Sequence, residues 1–425
     1  MNSFSRAFLL VLLSVLVLLS GFSLLMDPYA LFDTPRLDGV NRFKPVGLRH
    51  IRLSKAYRVA GEDHDALILG SSRTGRGLSC AMLRDPTVRC YNASSTAATP
   101  LESLRYLQQQ TPDSVYLGLD LFTIVETPLI NESFVDDRLK LDRDGDLNLR
   151  YYRQWISDHF GALISWQALG DGRLTFRSQG KVMFMPTSDG MPYIRSDGSW
   201  GEDPSRLKER PNNARGRNQE KRFMHIYRVM ALMFNKTLEQ HRAEGLSLTG
   251  TMETHLQSLR EIIAFCHEND IRLTLFFNAS HAYYWQLAYS EMGKQVLDYW
   301  KRRVLNINSS VAGQFGRQPY PLHDFSGINE IGSEEIPSAA NGHRFAESFQ
   351  DPMHYSPAVG QRMLDQMAKG CDGQPGDSWG PCLYPENLDV HLREQWRRHT
   401  AFSRQHAAAI DRFRKRVMAQ STKGN

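Results

Sequence analysis

The sequence predicts an α/β domain carried behind an N-terminal membrane helix, and three observations predict it. Short strand-like runs, the clearest being the continuous apolar Ala66–Gly70 closed by glycine, read as strands of a buried parallel sheet. Segments with helical apolar spacing alternate with them, as in a three-layer sandwich with a central, mainly parallel sheet. Ahead of both lies Ala7–Met26, an apolar run without a charge; about 20 residues at 1.5 Å rise match a hydrocarbon core of roughly 30 Å.

The run in residues 1–26 reads as a retained signal anchor. It is longer than a usual signal core, no small-x-small site precedes Asp27, and no cysteine follows it; a cleaved signal peptide is the alternative. Arg6 before the span favours a cytoplasmic N-terminus and an exported remainder. Residues 27–60 form a polar spacer ending in a short helix near Leu53–Ala60.

The body, residues 61–370, opens with a strand at Ala66–Gly70 and a second at Val88–Ser94. Thr99 then caps a helix, with Pro100 in its first turn and Glu102 three residues beyond the cap. Ser114–Phe122 is the third strand. Residues 130–242 change character, rich in Asp, Arg, Gly, Trp and Tyr, and read as an insertion with helices near Tyr151–Ala168 and Gln219–Asn235. It is either a lid or substrate-binding wall, or a surface excursion. Alternation resumes with a helix over Thr251–Asn269, a strand at Ile271–Ser280, a helix around Glu291–Val304 and a short strand before Asp324. The final body helix starts at Ser356–Pro357 and runs to Met367.

Residues 371–425 hold a Gly/Pro-rich loop between Cys371 and Cys382 and a basic helix over Val390–Met418. That helix presents a solvated face or, alternatively, meets anionic headgroups. In an oxidising compartment Cys80–Cys90 and Cys371–Cys382 would pair locally and leave Cys266 free; five unrelated thiols are the alternative.

With 425 residues, 41% hydrophobic and 23% charged, the chain suits one large domain with an insertion, or two smaller domains, and is ample for a core. A net charge of +5 is too small to suggest a nucleic-acid partner. Zinc-type Cys/His spacing, a Walker loop and a dinucleotide fingerprint are all missing, so neither metal nor organic cofactor is expected.

Ligands of open parallel sheets bind at the carboxyl ends of strands. The polar residues there are Ser71, Ser72 and Arg73 after the first strand, Asn92, Ser94 and Ser95 after the second, and Asp120 after the third. Asn278, Ser280 and His281 follow the fourth, and Asp351 and His354 precede the last helix. A serine hydroxyl becomes a useful nucleophile when a histidine takes its proton and a carboxylate orients that histidine. Ser72, His354 and Asp351 can supply those roles, with one short loop fixing both base and orienter. His281 reads as a structural or substrate-contact histidine. Arg73 and Arg76 read either as ligands of an anionic group such as a uronate or as ion-pair partners.

ILGSSRTGRGL at Ile68–Leu78, followed late in the chain by DPMHYS at Asp351–Ser356, resembles the SGNH/GDSL hydrolase superfamily. More narrowly it resembles membrane-anchored members of bacterial envelope and exopolysaccharide systems. The family's Gly-Asp-Ser block falls on Gly70, Ser71 and Ser72, and its Asp-x-x-His block on Asp351 and His354. The likeness implies an SGNH/flavodoxin-like fold and a serine esterase or acyltransferase acting on O-acyl, chiefly acetyl, groups of an envelope or extracellular polysaccharide. It implies a single-pass protein of the bacterial inner membrane with its main domain in the periplasm, and envelope assembly proteins as further partners.

Three positions depart from the family. Ser71 replaces aspartate, no glycine lies near Ala93–Ser95, and Asp120 stands for the third-block asparagine. An ionised aspartate accepts hydrogen bonds and repels an oxyanion. The backbone N–H groups of Ser72 and Ser94, or the side chains of Asn92 or Asn278, are the substitutes. The same departures favour the other reading: a non-catalytic, membrane-tethered module that binds glycan or organises an assembly.

Overall fold

The computed structural model describes residues 3–421 apart from 48, 127, 180–183, 187–191, 195–211 and 372–378. Helix α1, Ser3–Met26, is among the described residues the one helix long and apolar enough to cross a membrane, with mean hydropathy 2.8 over its most apolar window. Helix α2, Ile51–Gly61, leads into strand β1, Ala66–Leu69, and the short helix α3, Ser72–Gly77. Strand β2, Cys90–Asn92, helix α4, Pro100–Leu107, strand β3, Ser114–Leu119, and helix α5, Leu121–Val125, complete the first half.

The insertion contributes α6, Arg150–Ile164, α7, Trp166–Arg177, a hairpin of β4, Phe184–Pro186, and β5, Pro192–Ile194, and the long α8, Asn212–Glu244. The second half follows as α9, Leu248–Glu268, β6, Arg272–Phe277, α10, Ala282–Met292, α11, Lys294–Gln314, and β7, Leu322–Asp324. It ends with α12, Pro357–Met367, α13, Pro385–Gln405, and α14, Ala407–Ser421.

Five strands form one wholly parallel sheet in the order β2-β1-β3-β6-β7. Alternate side chains enter two separate apolar cores. Leu67, Leu69, Leu273, Leu275 and Phe277 join one, with α4, α8, α9 and α11; Ile68 and Phe276 join the other, with Tyr355, Val359 and Met363. Two-sided burial explains why β1 reads as an unbroken apolar run and β6 as one from Leu275 to Phe277.

Several expected boundaries move, each for a physical reason. The third strand stops at Leu119, and Leu121–Val125 turns helical. Ser165 breaks the Tyr151–Ala168 helix in two: extended itself, it accepts the Ala168 N–H on its hydroxyl and caps α7. Gly293, at φ +83°, splits the helix expected near Glu291. Thr99 caps α4 as expected, but Glu102 does not reach back to the cap. It is fully buried, pairs with Arg52 at 2.8 Å and accepts the Asn131 N–H.

The spacer lies against the body. Lys44 Nζ is buried on the Met26 and Asp27 carbonyls, Tyr29 donates to Asp171 and Tyr57 to Asp158, tying residues 27–60 to α6 and α7. The insertion is no excursion: Phe223, Tyr227, Met230 and Phe234 of α8 belong to the larger core. The basic C-terminal stretch is two helices whose Leu388, Leu392, Phe402, Ile410 and Phe413 join that core too. Its Arg397 and Arg398 share Glu394 on the solvated side. Both local disulfides form, Cys80–Cys90 and Cys371–Cys382, and Cys266 is free and buried.

Candidate functional site

The strand order reverses between β1 and β3, because β2 lies on one side of β1 and β3 on the other. The crevice outside the carboxyl ends of those two strands is where such sheets bind ligands. Ser72 stands there. β1 ends at Leu69, Gly70 turns the chain at φ +138°, and extended Ser71 caps α3 by accepting the Arg73 N–H. A side chain at Gly70 would meet Thr74 Oγ1 at 2.6 Å and the Gly118 carbonyl at 2.8 Å. The close β1–β3 approach therefore requires glycine there.

The structure brings Ser72, His354 and Asp351 into one hydrogen-bonded chain. Ser72 Oγ lies 3.0 Å from His354 Nε2, and His354 Nδ1 lies 2.9 Å from both Asp351 oxygens. Asp351 Oδ1 also accepts the backbone N–H groups of Met353 and His354, so the loop orients its own carboxylate. Asp351 is fully buried and His354 nearly so, while Ser72 is half-buried. Burial pushes the imidazole down to about 4 against the pull of Asp351, and the guanidinium groups of Arg76 and Arg222 push the same way. Burial would raise the Asp351 carboxyl, but His354, Arg222 and Arg76 hold it well below the usual carboxylate range. At neutral pH the pair is therefore a neutral imidazole beside a carboxylate, the state a general base requires.

A second set of contacts fixes the distance from serine to histidine. Tyr355, next to the base, lies across Gly77 at the end of α3; a Cβ at Gly77 would sit 1.9 Å from its ring. A Cβ at Gly360 of α12 would sit 1.9 Å from the Gly77 carbonyl. The Tyr355 hydroxyl donates to Asn278 Oδ1 at 2.9 Å, which anchors the base-bearing loop to the end of β6.

The remaining sequence candidates are structural. Asn92 donates to the Gly75 and Leu78 carbonyls and accepts the Ser94 N–H, so neither it nor that N–H is open to an oxyanion. The Ser94 hydroxyl donates to the Ile68 carbonyl. Asn278 gives its amide to Thr74 Oγ1 and Asp120. Asp120 pairs with buried Arg73 at 2.9 Å and accepts the Ser71 hydroxyl. Arg73 also lies 4.1 Å from the centroid of the Tyr284 ring, so it serves the interior and not an anionic ligand. His281 caps α10 and its Nε2–H donates to the Glu334 carbonyl at 2.8 Å; burial lowers it to about 4. Of the oxyanion donors the sequence offered, the Ser72 N–H is left: as the first residue of α3 it has no intrahelical partner.

Two residues of the site escaped sequence reasoning. Arg222, on α8 of the insertion, places Nε 3.5 Å from Asp351 Oδ2 and donates to Gln350 at 3.0 Å. Gln219, one turn earlier, donates to the Ala346 and Phe349 carbonyls and holds the loop that carries Asp351. Strand β5 of the insertion also packs beside α3. Among the described residues, His323 with Cys371 and Cys382 is the group spaced like metal ligands, but its two sulfurs are joined in a disulfide and offer no thiolate. No family model, curated protein or solved structure matches the chain.

Proposed function

We propose that the protein is a serine-dependent esterase or acyltransferase that removes or moves O-acyl, chiefly acetyl, groups of an envelope or extracellular polysaccharide. The observation that carries the reading is the continuous chain Ser72–His354–Asp351, with its hydrogen bonds of 3.0 and 2.9 Å. Ser72 Oγ attacks the acyl carbonyl while His354 Nε2 takes its proton and Asp351 stays ionised. The oxyanion forms beside the Ser72 N–H. Collapse expels the sugar oxygen, which takes the proton from His354 and leaves an acyl-serine. A water, or a hydroxyl of a second glycan, then attacks with His354 again as base, and Ser72 is restored.

The same reading makes the sheet the middle of a three-layer, flavodoxin-like SGNH arrangement; the strand order and the two cores support it. It sets the domain in the periplasm of a bacterium, held to the inner membrane by α1, with envelope assembly proteins as neighbours. Two disulfides suit that compartment.

The test incubates the full chain and its Ser72→Ala twin with a fluorophosphonate and with p-nitrophenyl acetate, and locates the adduct by mass spectrometry. An adduct on Ser72 that disappears in His354→Ala is the expected result. A folded chain that neither labels nor turns over ester refutes the reading. One observation favours a second function, a non-catalytic glycan-binding or assembly module: Asn92, Ser94, Asn278 and Asp120 are all committed to structural bonds, which leaves, of the donors the sequence offered, the Ser72 N–H for the oxyanion. Glycan binding by the unlabelled chain would support that reading.

A further inference from the structure

The first two helices of the insertion lie where α1 meets the body. α1 has 24 residues, about 36 Å at 1.5 Å per residue, of which a hydrocarbon core of roughly 30 Å takes up about 20. Its side chains are exposed from Phe8 to Leu18; burial starts at Leu19 and becomes complete at Ser23 and Met26. The elements that cover this end are α6 and α7. Their approach is close: a Cβ at Gly172 of α7 would sit 3.0 Å from Phe22 and 3.4 Å from Met26. Whatever packs laterally on that end of a spanning helix sits at headgroup depth.

The side of α6 turned away from the body is apolar, contrary to the usual pattern of a surface helix. Tyr152, Ile156 and Phe160, each one turn apart, line it with Trp155, and Trp166 begins α7 at 88% exposure. Ile156 and Phe160 are each 61% exposed. Arg153 of α6 and Arg173 and Arg177 of α7 are exposed on the same two helices. Tryptophan and tyrosine among apolar residues, with arginines on the same helices, suit the boundary between acyl chains and anionic headgroups.

We propose that the outer face of α6 and α7 is a membrane-seating platform, resting in the interface of the same bilayer that α1 enters. Its partner is a lipid surface with anionic headgroups, selected by continuity with α1 and by these arginines. The platform joins the body through Tyr57–Asp158 and Tyr29–Asp171. Two attachments, one spanning and one interfacial, then hold the body at a fixed tilt and Ser72 at a fixed height above the membrane. The inference rests on α1 crossing the bilayer and does not depend on any chemistry at Ser72.

The test places the full chain in vesicles of phosphatidylcholine and phosphatidylglycerol in which some lipid is brominated close to the headgroup, a quencher of nearby tryptophan. The wild type should be quenched, the Trp155→Phe/Trp166→Phe variant should lose most of that quenching, and Trp396→Phe, a control on α13, should keep it. Equal quenching in the double variant and the wild type overturns the platform. A second variant, Ile156→Glu/Phe160→Glu, is read by hydrogen exchange: faster exchange confined to α6 and α7 supports the platform. Conversion of a dimer to a monomer by that variant, without a change in quenching, assigns the face to a second copy and overturns the lipid proposal. Extraction of the wild type from vesicles by alkaline carbonate removes the anchor and the platform together, whereas loss of fluorophosphonate labelling bears on neither.

Discussion

Among the described residues two buried aspartates, Asp351 and Asp324, each hydrogen-bond a histidine, and each pair has a serine beside it. In the first, Asp351 orients His354 and the serine, Ser72, bonds to the free imidazole nitrogen at 3.0 Å. In the second, Asp324 at the end of β7 takes His391 Nε2 at 2.7 Å, but the serine, Ser326, bonds to the carboxylate at 2.5 Å. Lys301 also reaches Asp324 at 2.7 Å, inside the fold, and Gln395 donates to it. The first set is ordered serine to histidine to aspartate, so a proton can leave the hydroxyl for the imidazole. In the second, the hydroxyl and the imidazole are parallel ligands of one carboxylate, which together with Lys301 closes the end of β7 against α11 and α13. An Asp–His contact is thus a packing solution as readily as a catalytic one, and the position of the serine separates the two.

The sharpest way to break the comparison is to remove each serine. Ser72→Ala should lower ester turnover by up to about 10⁶-fold, the scale on which a triad nucleophile acts, and abolish covalent labelling. Ser326→Ala should leave labelling intact. Equal losses, measured on folded protein, would mean that the two clusters work as one site.

Next in size are the two aspartates. Asp351→Asn should cost about 10⁴-fold in kcat, since the amide favours the wrong imidazole tautomer. Asp324→Asn leaves Lys301 buried without its anion, so the expected loss is in stability, about 3–5 kcal/mol by denaturant titration. Labelling of the folded fraction should stay unchanged. A D324N protein that is fully folded yet unlabelled would contradict the structural role of that cluster.

Glycine substitutions give a smaller and more local contrast. Gly77→Ala drives a methyl group into the Tyr355 ring, and Gly380→Ala drives one into Phe325, beside Asp324, at 2.0 Å. Each should cost about 1–3 kcal/mol from overpacking, with the extra cost at Gly380 of a left-handed backbone at φ +76°. Only Gly77→Ala should also slow labelling per folded molecule, because its clash moves the loop that carries the base.

The two clusters were not equally legible in the sequence. Strand β1 announces itself because burial on both faces leaves no polar position, β3 and β6 because their carboxyl-terminal halves are apolar and fully buried, and Ser72 was legible because it closely follows β1. Asp351 and His354 share one loop, and it was their occurrence together with Ser72, in the order of the SGNH blocks, that suggested an orienter and a base. The oxyanion candidates failed for a different reason. What Asn92, Ser94 and Asn278 bond to depends on Gly75, Leu78 and Thr74 folding beneath them, and no spacing encodes that. Arg222 was hidden because its partner lies far along the chain and the pattern of α8 does not say which arginine faces the body. Glu102 satisfied a capping rule in sequence, yet Arg52 from α2 outcompeted the cap.

The smallest expected effect concerns Arg222, and it separates the clusters by pH. His354 ordinarily would titrate near 6.5; burial, with Arg76 and Arg222, brings it to about 4. A protonated imidazole cannot take the Ser72 proton, so the acid limb of kcat/KM should fall near pH 4 and the rate should be flat through neutrality. Removing a cation makes protonation easier, so Arg222→Gln should move that limb upward, toward the ordinary histidine value. Stability follows the same sign. Below pH 6.5 an unfolded chain binds a proton at this histidine while the folded chain binds it only near 4, so stability is full above about 6.5 and declines between 6.5 and 4. Arg222→Gln should make that decline shallower, because its folded value lies nearer the unfolded one. His391→Gln should move neither the limb nor the labelling rate, since that imidazole touches Asp324 and not Ser72. An acid limb that stays near 4 in Arg222→Gln would mean that burial alone sets the base, and would leave the insertion helix with only a structural part in the site.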